Sequence, residues 1–145
     1  MKTRLISARM RESAEGNIIL IGRENYTVLK KIGEGGFSRV YEALASDKKV
    51  RAVKMINIIG MNGEINNDEI KEINLLQSLS DVPEVAKLIH HEIQCSQEGV
   101  LLVLVMEKGE TNLSQILKNI KMLSIPMLLF FWESMLECIS ALHQR

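Results

Sequence analysis

Ile32-Gly33-Glu34-Gly35-Gly36-Phe37-Ser38-Arg39-Val40 is the stretch on which the fold turns. It lies between two runs of strand-like composition, Tyr26 to Ile32 and Val40 to Ala45, so the glycines fall at a strand-turn-strand corner. Backbone without Cβ can lie against a ligand and aim its N–H groups at it, which suits a phosphate. The same glycines also suit a plain hairpin turn that needs positive φ. The residues after the loop narrow the choice. A dinucleotide-binding fingerprint runs from strand into helix, whereas here Val40 to Leu44, a Ser46-Asp47-Lys48-Lys49 turn and Val50-Arg51-Ala52-Val53-Lys54 make a β-hairpin ending in a lysine.

Downstream, Met55 and Ile56 continue the lysine strand and Gly60-Met61-Asn62-Gly63 marks a loop. Asn66, three residues before Glu69, suits a helix cap, and Ile70, Ile73, Leu76 and Leu79 then form one buried stripe that ends at Ser80-Asp81-Val82-Pro83. Glu72 flanks that stripe, where a carboxylate can reach a lysine on an adjacent sheet. Glu69 is its rival, and a solvated helix carboxylate is the plainer alternative. Val85 to Ile93 and Val100 to Met106 read as strands joined by a Ser96-Gln97-Glu98-Gly99 turn. The unbroken apolar run Val100 to Val105 suits a central strand covered on both faces. Upstream, Ile18 to Ile21 is a short apolar run before Gly22-Arg23-Glu24-Asn25, a preliminary strand and turn. Asn112 to Lys118 reads as a short helix. Ser124 and Pro126 open a long one reaching Gln144, with Leu128, Phe131, Met135, Ile139 and Leu142 on one side and Glu133 and Glu137 on another. This is expected to be a core helix, the glutamates interrupting any membrane span.

The 145 residues are 46% hydrophobic and 25% charged, with 18 basic residues balancing 18 acidic ones. That is ordinary globular composition for a single domain's length, with no charge bias toward nucleic acid or an anionic membrane. Neither is expected as a partner. Cys95 and Cys138 fall in different elements without metal-ligand spacing and read as free thiols in a reducing compartment. The first residues are basic up to Glu12 and lack an apolar core long enough for a signal peptide, so they read as a flexible arm, an organellar targeting segment being the alternative.

In this order the parts resemble the nucleotide-binding lobe of a eukaryotic protein kinase. There a Gly-x-Gly-x-x-Gly-x-Val loop is followed by a Val-Ala-Ile-Lys strand whose lysine holds the α- and β-phosphates and pairs with a glutamate on the next helix. The loop pattern falls on Gly33, Gly35, Ser38 in place of the third glycine, and Val40; the strand falls on Arg51-Ala52-Val53-Lys54. More narrowly, Gly33 to Val40, Met106-Glu107-Lys108-Gly109-Glu110-Thr111-Asn112-Leu113 and Phe131 to Glu137 are similar to the monopolar-spindle family of dual-specificity spindle-checkpoint kinases. In that family a serine likewise stands at the third glycine and a methionine before the hinge. The likeness runs from about Ile21 to Arg145.

The resemblance implies an α+β fold: a kinase-like N-lobe with a five-stranded antiparallel sheet and a C-helix, then a hinge and the first two helices of a truncated C-lobe. Residues 1–20 would be a flexible segment, 21–109 the lobe and hinge, and 110–145 the start of the C-lobe. It implies ATP as ligand, held by Ile32, Gly33, Gly35, Gly36, Ser38, Val40, Ala52, Lys54, Met106, Glu107, Lys108 and Gly109. Lys54 and Glu72 would form the phosphate-positioning pair, Val40 and Ala52 an apolar slot for adenine, Met106 the gatekeeper, and Glu107, Lys108 and Gly109 the hinge. Asn112 departs from the acidic residue that the family tends to carry near the ribose.

A kinase places its His-Arg-Asp loop after the long helix, and no residue here matches the catalytic aspartate or the metal-binding Asn and Asp. His143 lies too early, inside the helix. The 145 residues are thus expected to bind ATP without catalysing transfer, with no metal site, Mg²⁺ belonging to a full-length parent. The parent would phosphorylate Ser/Thr and, by the dual-specificity likeness, Tyr of protein substrates, inside the cell in cytoplasm or nucleus and at the kinetochore. Without a second lobe the long helix would expose Phe131, Trp132 and Met135, favouring self-association or a partner. The alternatives are a non-catalytic kinase-fold interaction module and a pseudokinase lobe.

Overall fold

The computed structural model describes residues 16–59, 67–96, 99–120 and 122–144. The elements in chain order are β1 (Ile18–Ile21), β2 (Glu24–Glu34), β3 (Ser38–Ala45), β4 (Val50–Asn57), α1 (Asn67–Ser78), β5 (Leu88–Ser96), β6 (Gly99–Glu107), α2 (Leu113–Asn119) and α3 (Ile125–His143). The strands form one six-stranded antiparallel sheet in the order β1-β2-β3-β4-β6-β5. The expected count of five omits β1, the four-residue run read as a preliminary strand. It joins because the turn after it puts Ile18 to Ile21 in register with Thr27 to Glu24. The sheet also curls until its two edges touch. The Gly22 N–H donates to Glu92 Oε2 at 2.6 Å and Gln94 Nε2 donates to the Leu20 carbonyl at 3.2 Å, so β1 meets β5.

Side chains alternate across a strand, and the register sorts β3, β4 and β6 into two faces. Tyr41, Val53 and Val105 align on one, and Val40, Lys54 and Leu104 on the other. The first is the inside of the curl, where Tyr41, Ala43, Val53, Met55, Leu101, Val103 and Val105 are buried with Ile19, Ile21, Tyr26 and Val28. Without β1 this core would lose Ile19 and Ile21. Against the second face lies α1, whose Ile73 is buried with Ile56, Ile58, Leu102 and Leu104. Leu101 to Val105 are therefore buried on both faces, as an unbroken apolar strand requires. Fully burying each leucine of such a strand is worth roughly 1.5–3 kcal/mol. Tyr26, in the first core, donates its hydroxyl to Glu24 Oε2 at 2.7 Å. Burial, first, and the Glu24 carboxylate push its pKa far up.

Ile73 on α1 and Leu79 just past its end are buried, and Ile70 and Leu76 half-buried, the expected stripe. β5 starts later than Val85, at Leu88, because two successive turns intervene, Val82 N–H to the Leu79 carbonyl and Val85 N–H to the Val82 carbonyl. The Asn66 cap, the Gly60–Gly63 loop, Gln97 and Glu98 of the expected turn, residues 1–15 and the side chain of Glu69 lie outside the described residues.

Both later helices begin where capping residues direct. Asn112 Oδ1 accepts from the Gln115 N–H at 2.8 Å, and Ser124 Oγ accepts from the Met127 N–H at 3.4 Å with Pro126 in the first turn. The expectation of a core helix at α3 is corrected: none of its residues is buried, and Leu128, Leu129, Phe130, Trp132, Leu136 and Ile139 stand exposed, Trp132 at 58%. The exclusion of a membrane span is also corrected. With a mean hydropathy of 1.5, Ile125–His143 is long and apolar enough to cross a membrane by length and composition, its apolar residues outweighing Glu133 and Glu137. Cys95 and Cys138 are free thiols.

Candidate functional site

The glycine stretch is a flap between β2 and β3. Gly33 pairs with Val40 and Glu34 with Arg39, after which the chain turns through Gly35, Gly36 and Phe37. The Gly35 N–H donates to the Ser38 carbonyl at 2.8 Å, closing the turn, and the Phe37 carbonyl accepts from the Asn57 N–H at 3.0 Å, tying the tip to β4. Neither Gly33, Gly35 nor Gly36 has a left-handed φ. A plain hairpin that needs positive φ is therefore not the reason for them. At Gly36 a Cβ would meet nothing within 4 Å, so the chain's own packing does not call for glycine there. At the flap's root, Glu34 accepts from Lys31 Nζ at 2.6 Å and Arg39 Nε at 3.0 Å. These two cations, Lys31 first, hold the Glu34 carboxyl below the usual carboxylate range.

Under the flap, Val40 pairs with Lys54 and Ser38 with Ile56. Lys54 points to the α1 side of the sheet, where its Nζ donates to Glu72 Oε1 at 3.0 Å and Oε2 at 3.3 Å. The pair joins elements eighteen residues apart in sequence and lies partly buried. Glu72 reaches the lysine because its neighbour Ile73 anchors that flank of α1 in the core. Two residues along the same face, Ala52 sits between Glu42 on β3 and Met106 on β6. Met106 is half-buried and packs against the α1-side core. β6 ends at Glu107, whose N–H donates to the Lys87 carbonyl at 2.9 Å; Lys108 and Gly109 follow. Ile32 lies exposed on β2 before the flap.

The register thus brings Ser38, Val40, Ala52, Lys54 and Met106 to one face of the sheet beneath the flap, with Glu72 of α1 over it, whereas Glu107 pairs with Arg51 in a row on the other face. That face offers an ammonium held by a carboxylate beside an apolar strip. A model of the protein kinase domain matches residues 26–145. The chain belongs to the protein kinase family. Among its relatives, the serine/threonine-protein kinase MPS1 of Encephalitozoon cuniculi is 37% identical over 126 residues, 87% of this chain and 20% of that protein. MPS1 of Saccharomyces cerevisiae is 33% identical over 129 residues, covering 88% and 16%. The dual specificity protein kinase TTK of Mus musculus is 30% identical over 136 residues, covering 92% and 15%. The likeness to the monopolar-spindle kinases is thereby shown, and the chain spans a fifth or less of the length of these curated relatives.

Reading the sequence missed one interaction beside these residues. Glu42 Oε2 lies 3.4 Å from Lys108 Nζ and 3.7 Å from Lys30 Nζ, linking the β6 exit to β3 and β2. Strand alternation carries the signal, since Glu42 stands two residues after Val40 and so shares its face. Asn112, the departure near the ribose, spends its side-chain oxygen on the α2 cap.

Proposed function

We propose that this chain is the ATP-binding part of a protein kinase whose whole protein transfers the γ-phosphoryl of ATP to Ser/Thr, and also Tyr, side chains of proteins in spindle-checkpoint signalling. The observation that carries this reading is the Lys54–Glu72 ion pair beneath the glycine flap. Phosphoryl transfer asks mainly for positioning and charge neutralisation. In the proposed complex the flap's N–H groups face the triphosphate and Lys54, oriented by Glu72, holds its α- and β-phosphates. Ile32, Val40 and Ala52 enclose the adenine, Met106 closes its back, and the backbone of Glu107, Lys108 and Gly109 meets its edge. Gly33, Gly35, Gly36 and Ser38 let the flap approach closely.

Among the described residues no three His, Cys, Asp or Glu are grouped together. We assign nucleotide binding to residues 1–145 and the transfer step to the whole protein. The relatives are named as serine/threonine and dual specificity kinases, which supports the substrate class. On the same likeness we also propose an intracellular place, in cytoplasm or nucleus and at the kinetochore. The exposed apolar surface of α3 favours a second reading, a kinase-fold interaction module that dispenses with nucleotide. Thermal unfolding with and without ATP separates the two. ATP should raise the midpoint of the wild-type chain and leave Lys54→Met unmoved; equal responses would remove Lys54 from the site.

A further inference from the structure

We infer that Glu42 is a positioning residue for nucleotide, acting through Lys108 to fix the β6 exit against β3. The inference rests on the nucleotide-binding reading and deepens it. Glu42 stands in the row Glu42-Ala52-Met106, next to the row Val40-Lys54-Leu104 on the same face. The rows are two residues apart, about 7 Å. The face thus carries two ion pairs, Lys54–Glu72 in one row and Glu42–Lys108 in the other. The Glu42 side chain is only 16% exposed and Lys108 only 23%. A carboxylate withdrawn that far from water needs cationic partners, and Lys30 and Lys108 supply them.

The consequence falls on the backbone just past β6. Glu107 is fixed from one side by its N–H bond to the Lys87 carbonyl, and Lys108 from the other by Glu42. Main-chain groups that recognise a heterocycle's edge bind best when held in place beforehand. Glu42 therefore acts on the base and not on the phosphates. The sign of the effect separates this from simple electrostatics. Removing an anion close to a triphosphate would by charge alone tighten ATP and leave adenosine untouched. Freeing the hinge weakens both alike.

The test is NMR titration of the chain with adenosine and with ATP, following the amides of Lys108 and Gly109. Glu42→Gln and Lys108→Met should each weaken both ligands by the same factor, about threefold for a partly exposed pair. The double variant should do no worse than either single one, because both remove one link. Lys54→Met should weaken ATP while sparing adenosine. Lys108→Met, on the more exposed partner, keeps the test open if Glu42→Gln fails to fold. Tighter ATP binding, additive losses, or affinities equal to wild type would overturn the role of Glu42 while leaving the Lys54 reading intact. A wild-type chain that binds neither ligand would overturn both.

Discussion

Replacing Gly22 by alanine should cost this fold about 2 kcal/mol, and the sum has two separable parts. Gly22 has φ +61°, in the left-handed region, where an L-residue loses roughly 1 kcal/mol relative to glycine. A Cβ there would also lie 2.6 Å from His90 Nε2 and 3.0 Å from His90 Cε1. His90 is exposed on β5, so its ring can swing away instead of displacing backbone, at roughly 0.5–1.5 kcal/mol for leaving its rotamer. Urea unfolding checks both parts. Gly22→Ala should lower the midpoint with an unchanged m-value, and in a Gly22→Ala variant of a His90→Ala background only the backbone part, ~1 kcal/mol, should remain. A loss below about 0.5 kcal/mol, or the same loss in both backgrounds, would refute the claim that the turn after β1 packs on β5.

Other consequences can be checked on the same chain. Leu104→Ala, buried between the sheet and α1, should cost about 2–5 kcal/mol in urea unfolding; a loss under ~1 kcal/mol would place Leu104 outside the core. The Glu34 carboxyl, lowered by Lys31 and Arg39, stays ionised below the ordinary range. Its tie to the flap is therefore complete above the unfolded-state pKa and lost as pH falls through the lower folded value. Lys31→Met should move the Glu34 titration, followed by NMR, upward; an unmoved titration would contradict the ion pair. Tyr26 is shifted the other way, so its contribution is complete below about pH 10 and lost as pH rises through its folded pKa. Absorbance should show it titrating well above the ordinary tyrosine range, and titration near pH 10 would count against its burial. Finally, the apolar surface of α3 should make the chain self-associate in sedimentation, and Leu129→Glu with Trp132→Glu should disperse it; a monomeric wild-type chain would contradict this.

How much could be read from the sequence depends on how local each feature is. The flap, the lysine strand and the capped helices depend on residues within a few positions of one another, so spacing alone reveals them. Lys54 and Glu72 are distant, yet a strand ending in lysine before a striped helix leaves few partners. β1 is different. Four apolar residues carry no period, and although the adjacent turn pairs them with β2, the closure of β1 onto β5 depends on Glu92 and Gln94, some seventy residues away. The Glu42–Lys108 link is hidden likewise, since it needs the registers of β3, β4 and β6 at once. For α3, apolar content reads equally as core, interface or membrane helix, and only the environment distinguishes them.

The central claim is that Lys54 meets the phosphates of ATP beneath the flap. An acyl-phosphate derivative of ATP, which acylates whichever amine lies against its phosphates, asks this directly when the labelled peptide is identified by mass spectrometry. Acylation should fall on Lys54, be blocked by excess ATP, and weaken when Glu72→Gln releases the lysine. Labelling spread over Lys30, Lys31 and Lys108 with Lys54 spared, and indifferent to ATP, would contradict the account.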